Sequence, residues 1–256
     1  MPRAVRVQYE NAFYHVMNRG RRRRCIYHGQ AYYEAFLETL EESHDRFEAR
    51  FHAYCLMGNH YHLLIETPLA NLDRIMRHIN GVYTQRYNRL KRTDGPLFRG
   101  RYRSILIDED TYLLQVSRYI HRNPLEVKNA PSDALDVHKW SSYLAYVNRA
   151  KVPVWLNCDR TYRTLGERNH CMAYEAFVLN GNDTRTKEFY GGDYQTGIYG
   201  DKSFRQSVYD DRECHEVANR LTEVIDERPE IEEIVVVVAR VFSVDPKEIT
   251  NKRRGR

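Results

Sequence analysis

Two short apolar runs, Arg50–Met57 and Tyr61–Glu66, meet at Gly58-Asn59. Both joint residues tolerate positive φ, so the join reads as a tight hairpin between two adjacent strands. An antiparallel sheet must therefore form around it, and the flanking segments have to pack on that sheet.

Those segments have a regular order. Phe13 to Asn18 reads as a strand of aromatic and β-branched residues, followed by the basic loop Arg19-Gly20-Arg21-Arg22-Arg23-Arg24. Ala31 to Phe47 is predicted helical, because Tyr32, Phe36, Leu37 and Leu40 recur near the 3.6 period. Asn71 to Lys91 is a second predicted helix, with Leu72, Ile75, Ile79, Val82 and Tyr83 as its apolar stripe. After the turn Thr93-Asp94-Gly95-Pro96, the segment Leu97 to Ile107 reads as a strand with alternating arginines. Asp108 or Asp110 caps a third helix that runs to about Asn123, where Pro124 stops it.

The order β-α-β-β-α-β-α is the split βαβ pattern of a ferredoxin-like fold with one extra helix. The expected class is α+β: an antiparallel sheet with helices on one face, plus a C-terminal helical region. The expected divisions are 8–128 for the sheet domain, 129–204 for an irregular and helical extension, and 205–256 for a helical tail. Within the extension, Trp140 to Val147 is a short helix and 180–203 an irregular connection.

Charge is uneven. Residues 1–128 carry 21 Lys/Arg against 14 Asp/Glu, while 129–256 carry 19 against 21. A positive field on the first half points to a polyanionic partner there. The five cysteines, Cys25, Cys55, Cys158, Cys171 and Cys214, are widely spaced without any CxxC, so free thiols are expected. The longest apolar run, Ile234 to Ala239, is far too short to span a bilayer, and no apolar segment follows Met1-Pro2-Arg3. The expected location is cytoplasmic, with no membrane partner.

The chemistry concentrates in two places. His60 and His62 flank Tyr61 on a predicted strand, so both imidazoles point to one face and can converge on a divalent metal. Tyr61 points the other way. The same spacing would suit two surface histidines on an edge strand. On the third helix Tyr119 and Asn123 are four apart and share a face. The Asn123 amide oxygen could complete a metal shell while Tyr119 faces the same site. A phenol with pKa about 10 is a poor nucleophile at neutral pH unless a metal and arginines favour its phenolate. By spacing alone, Tyr119 is also one of 20 ordinary tyrosines. His121 lies off that face.

Several stretches together resemble the single-tyrosine HUH transposases, and more closely the REP-associated tyrosine transposases within the IS200-like superfamily. They are Tyr14-His15-Val16-Met17-Asn18-Arg19-Gly20, Met57-Gly58-Asn59-His60-Tyr61-His62-Leu63-Leu64, Leu97-Phe98-Arg99-Gly100-Arg101-Tyr102, Arg118-Tyr119-Ile120-His121-Arg122-Asn123-Pro124 and Trp140-Ser141-Ser142-Tyr143. The resemblance covers roughly residues 8–147.

It implies a metal-dependent transesterase that cleaves and rejoins single-stranded or hairpin DNA at repeated palindromes. Tyr119 would be the nucleophile, forming a 5′-phosphotyrosine and freeing a 3′-hydroxyl. His60, His62 and Asn123 would hold Mg²⁺ or Mn²⁺. Relatives act as monomers or homodimers. Arg19, Arg21, Arg22, Arg23 and Arg24 would track phosphates. Arg99, Arg101 and Arg103 would share one strand face, with Phe98 and Tyr102 offering stacking surfaces on the other. The tail, Ile231 to Arg256, resembles the start of a replication-initiator helix-turn-helix. Two rivals stand beside this reading: a hairpin nucleic-acid binder without cleavage, and a hydrolytic nuclease that leaves no covalent adduct.

Overall fold

A computed structural model describes residues 7–166, 168–192 and 197–210. The chain divides into two units, Met1–Arg205 and Gln206–Arg256. Of the second, only 206–210 is described, as helix; the helix-turn-helix-like tail expected from the sequence lies outside the described residues. The first unit takes in both 8–128 and 129–204.

Five strands form one sheet: β1 (Ala12–Arg19), β2 (Arg50–Met57), β3 (His60–Thr67), β4 (Arg103–Ile107) and β5 (Ile198–Tyr199). Their order is β2-β3-β1-β4-β5. The first four are antiparallel neighbours, as the split βαβ pattern requires, and β5 adds parallel to β4. The sheet is therefore mixed rather than wholly antiparallel.

The hairpin forms as expected, with Met57 paired to His60. Its turn needs no positive φ, since neither Gly58 nor Asn59 adopts one.

Three longer helices follow the predicted order: α1 (Gln30–Phe47), α2 (Leu72–Lys91) and α3 (Glu109–Arg122). The α1 core face uses Ala35, Phe36, Thr39, Leu40 and Ser43. Its two hydroxyls bond back to carbonyls four residues earlier, each at 2.7 Å, which lets polar side chains sit in an apolar layer. The buried stripe of α2 is Leu72, Ile75, Met76, Ile79 and Tyr83, the spacing of one helical face.

Helices cover both faces of the sheet, not one. Tyr61 and Phe36 rings meet at 4.9 Å on the α1/α2 side. Ala53, Cys55, Leu64, Ile105 and Ile107 pack with Val116 and Ile120 of α3 on the other. The strands bear the mark of this packing: β2 and β3 are buried at nearly every position, the burial of strands sandwiched on both faces.

Short helices finish the unit: α4 (Ala134–Val137), α5 (Tyr143–Tyr146), α6 (Asp159–Leu165), α7 (His170–Leu179) and α8 (Thr184–Gly191). The helix expected over 140–147 shrinks to α5, because Trp140–Ser142 is used to cover the edge of β2. Leu56 N–H donates to the Trp140 carbonyl at 2.9 Å and Ser142 N–H to the Tyr54 carbonyl at 3.0 Å. The connection expected to be irregular over 180–203 contains α8 and β5. An Asp183 cap accounts for the helix: its carboxylate accepts from the Thr186 N–H at 2.8 Å.

Cys25, Cys55, Cys158 and Cys171 are free thiols. Among the described residues no helix is long and apolar enough to cross a membrane.

Candidate active site

His60 opens β3 and His62 follows two residues on, so both imidazoles project to the α3 face of the sheet; their ring centroids lie 5.1 Å apart. Tyr61 points to the opposite face, where its hydroxyl donates to Asn80 Oδ1 at 2.8 Å.

Each histidine is held at Nδ1. His60 Nδ1 lies 2.7 Å from Asn59 Oδ1. Asn59 donates its own Nδ2 to the Arg23 carbonyl at 3.2 Å, so its Oδ1 is the acceptor and His60 Nδ1 carries the proton. That leaves the Nε2 lone pair of His60 available. His62 Nδ1 lies 2.9 Å from Nε2 of the fully buried His15, and His15 Nδ1 lies 2.7 Å from the Tyr190 hydroxyl.

Burial, and after it the Arg19 guanidinium, pushes the His60 imidazole down to about 4. Burial pushes His15 down to about 3 and holds His62 well below the usual imidazole range. All three are neutral at pH 7, the form in which imidazole ligates metal.

Tyr119 sits in the last turn of α3. Its ring centroid is 6.1 Å from His62, 5.8 Å from His15 and 3.7 Å from Tyr190, on which it stacks at 10°. The structure thus gathers Tyr119 and the two predicted histidines, with His15 and Tyr190 behind them.

Asn123 follows one turn later. Its Nδ2 donates to the Tyr119 and Ile120 carbonyls at 2.9 and 3.3 Å, which anchors the carboxamide on its own helix with Oδ1 as its acceptor atom. Among the described residues no group of three or more His, Cys, Asp or Glu side chains could hold a metal. A divalent ion here would rest on two imidazole nitrogens and a neutral oxygen donor, a set that Asn123 fits. His121, left out of the site by its spacing, is buried elsewhere between Tyr174 and Ser142 at 2.7 and 2.6 Å.

The basic positions divide. Arg19 and Arg21–Arg24 are exposed, and the backbone of this loop is tied to the hairpin tip. Gly20 N–H donates to the Asn59 carbonyl and Arg21 N–H to the Leu97 carbonyl, both at 2.9 Å. Arg19 pairs across the sheet with His60, and the Arg99 N–H donates to the Arg19 carbonyl at 2.9 Å. A cluster of exposed arginines therefore borders the histidine pair.

Arg99 and Arg101 are exposed but do not lie on a strand with Arg103, since β4 begins only at Arg103. The preceding residues are tied down differently. Phe98 bridges to Gly20 and buries its ring against Tyr61 and Tyr83, and the buried Tyr102 donates its hydroxyl to Asp73. Neither ring presents an open face for a base.

His15 and Tyr190 were not among the predicted site residues. His15 could have been found from strand parity: it pairs with Leu64 while Met17 pairs with His62, so His15 and His62 are diagonal neighbours on one face. Tyr190 lies in a stretch with no strand or helix periodicity to flag it.

Residues 8–123 match the family model described as IS200-like transposase. The solved structure of a REP-associated tyrosine transposase bound to a REP hairpin aligns with a TM-score of 0.51 at 15% identity, covering 61% of this chain and 92% of that one. At that identity the likeness concerns the fold. A candidate transposase from Deinococcus radiodurans R1 aligns with a TM-score of 0.34 at 17% identity, over 47% of this chain and 97% of that one, and carries no argument. No curated protein sequence matches the chain.

Proposed function

We propose that this chain, whose residues 8–123 match the IS200-like transposase family model, is a metal-dependent transesterase of that family that cuts and rejoins single-stranded DNA beside hairpins, with Tyr119 as nucleophile. The observation that carries this reading is the placement of the Tyr119 ring 6.1 Å from His62, beside a histidine pair anchored through Nδ1.

His60 and His62 would hold the ion through Nε2, with Asn123 Oδ1 as the third protein ligand. Held there, a divalent ion would supply Lewis-acid polarisation of the scissile phosphate. Everything else falls to the chain. Tyr119 is presented at the end of a helix whose apolar side is locked into the core, so its hydroxyl is positioned before substrate arrives. Its phenol loses a proton as Oη bonds to phosphorus. The P–O3′ bond breaks, and the departing oxygen leaves as a 3′-hydroxyl. The 5′-phosphotyrosine conserves the phosphodiester energy, so attack by a 3′-hydroxyl on the same phosphorus rejoins DNA without ATP. The exposed Arg19, Arg21–Arg24 and Arg99 beside the hairpin tip would neutralise phosphates of the bound strand. Arg101 and Arg103 extend the basic surface.

The test is a denaturing gel of the protein with labelled hairpin oligonucleotides from the flanks of its own gene, with Mg²⁺ or Mn²⁺. A metal-dependent shifted band, absent in Tyr119→Phe and His60→Ala, is expected. Cleavage without a shifted band would make the chain a hydrolytic nuclease. Tight binding with neither would make it a binding module.

A further inference from the structure

Tyr190 lies beyond the family match, on α8, yet it touches two groups of the site at once. Its hydroxyl is 2.7 Å from His15 Nδ1, and its ring stacks on Tyr119 at 3.7 Å. His15 in turn reaches His62 at 2.9 Å through its other nitrogen. We propose that Tyr190 and His15 form a positioning relay that selects the metal-binding tautomer of His62. The proposal rests on the reading of His62 as a metal ligand.

Proton counting limits the possibilities. His15 is fully buried, both its ring nitrogens are engaged, and the next imidazole is 6% exposed. Two neutral imidazoles in line allow only two arrangements. In the first, His62 Nδ1–H donates to His15 Nε2, and His15 Nδ1–H donates to the Tyr190 oxygen. His62 Nε2 then carries a lone pair. In the second, the Tyr190 O–H donates to His15 Nδ1, His15 Nε2–H donates to His62 Nδ1, and His62 Nε2 carries a proton and cannot ligate. A ligand histidine is usually held in the first arrangement by a partner at its far nitrogen. Here the final acceptor is the Tyr190 oxygen.

Removing that oxygen strands His15 Nδ1 in a buried place. A buried N–H without an acceptor costs more than a lone pair without a donor, so His15 would move its proton to Nε2 and drive His62 into the wrong tautomer.

The rest of α8 supports the placement. Its cap residue Asp183 pairs with Arg118 at 2.6 Å, and Arg118 is the residue before Tyr119. The Thr186 hydroxyl contacts the Tyr199 hydroxyl of β5 at 2.9 Å. The helix that carries Tyr190 is therefore clamped to the one that carries the nucleophile.

The experiment is a Mn²⁺ titration of the DNA-free full chain by calorimetry, for wild type, Tyr190→Phe and His62→Ala, together with ¹⁵N NMR of the histidine tautomers without metal. Phenylalanine keeps the ring stack and removes only the oxygen. Tyr190→Phe is expected to weaken Mn²⁺ binding about 10- to 100-fold, and to move the His62 proton from Nδ1 to Nε2. Unchanged affinity and tautomer in Tyr190→Phe would overturn the relay. If that variant fails to fold, the wild-type tautomer still decides: His62 found protonated at Nε2 overturns it. If wild type and His62→Ala bind Mn²⁺ alike, the ligand assignment of His62 fails instead, while the tautomer data continue to judge the relay.

Discussion

Replacing Gly20 by alanine should loosen the junction between the arginine loop and the hairpin that carries His60. The backbone at Gly20, φ −55° and ψ 142°, suits any residue, so the cost is purely steric. An added Cβ would lie 2.2 Å from the Arg24 carbonyl oxygen and 2.8 Å from Ile26 Cγ2. The isoleucine methyl can turn; the carbonyl is backbone and must retreat by about 1 Å to reach an ordinary contact. It is not free to do so. Arg24 N–H donates to the Arg21 carbonyl at 3.1 Å, and Ile26 N–H holds the Gly58 carbonyl at 2.8 Å. Forced overpacking of this kind costs about 1–3 kcal/mol. For a unit of this size that lowers the melting temperature by roughly 2–12 °C. The same shift displaces Asn59, whose carbonyl is bonded to Gly20 N–H and whose side chain holds His60. Calorimetric melting and Mn²⁺ titration of Gly20→Ala read both effects. A variant that melts within about 1 °C of wild type and binds Mn²⁺ equally well would refute the close approach at Gly20.

Three further outcomes follow from the same geometry. Asp183→Ala removes the α8 cap and the carboxylate paired with Arg118, whose side chain is 8% exposed; urea unfolding should show a loss of about 2–3 kcal/mol, and a shift below about 0.5 kcal/mol would mean that α8 is not clamped this way. Changing Arg21, Arg22, Arg23 and Arg24 together to glutamine should weaken hairpin binding and flatten its salt dependence by about 0.7–0.9 in slope for each phosphate no longer neutralised; an unchanged slope would remove this loop from the DNA path. Stability should fall on acidification, because burial pushes the His121 imidazole down to about 3 while the unfolded ring titrates near 6.5. Between those values the unfolded chain binds the extra proton, so the loss is at most about 1.4 kcal/mol per pH unit from this group; His121→Gln should flatten the curve there, and an identical pH profile would sink the assignment.

Much of this site was legible from residue patterns. The hairpin at Gly58-Asn59 and the shared face of His60 and His62 follow from the period of strands; Tyr119 is singled out by the family resemblance, since helical spacing alone pairs it only with Asn123 and does not say which face of the sheet its helix covers. That α3 covers the second face of the sheet was hidden because a strand buried on both sides has no alternation to read, as Ala53–Met57 and Leu63–Ile65 illustrate. The strand expected from Leu97 fails because Leu97, Phe98 and Tyr102 spend their apolar character on packing against the arginine loop and α2, leaving only Arg103–Ile107 for the ladder. The Asp183 cap and the two-residue β5 are too short to rise above a background of glycine, threonine and aspartate. Tyr190 was invisible for a different reason: its role depends on a contact with His15 across 175 positions, which local pattern does not encode.

Tyr119 as nucleophile is best tested by mapping the adduct itself. The covalent complex formed with a hairpin oligonucleotide would be digested with nuclease and trypsin and read by mass spectrometry. Cleavage after Arg118 and Arg122 releases the short peptide from Tyr119 to Arg122. This peptide is expected to carry the nucleotide, attached as a 5′-phosphate ester on the tyrosine. A nucleotide on any other tyrosine, Tyr190 included, or cleaved DNA with no modified peptide, would contradict the assignment.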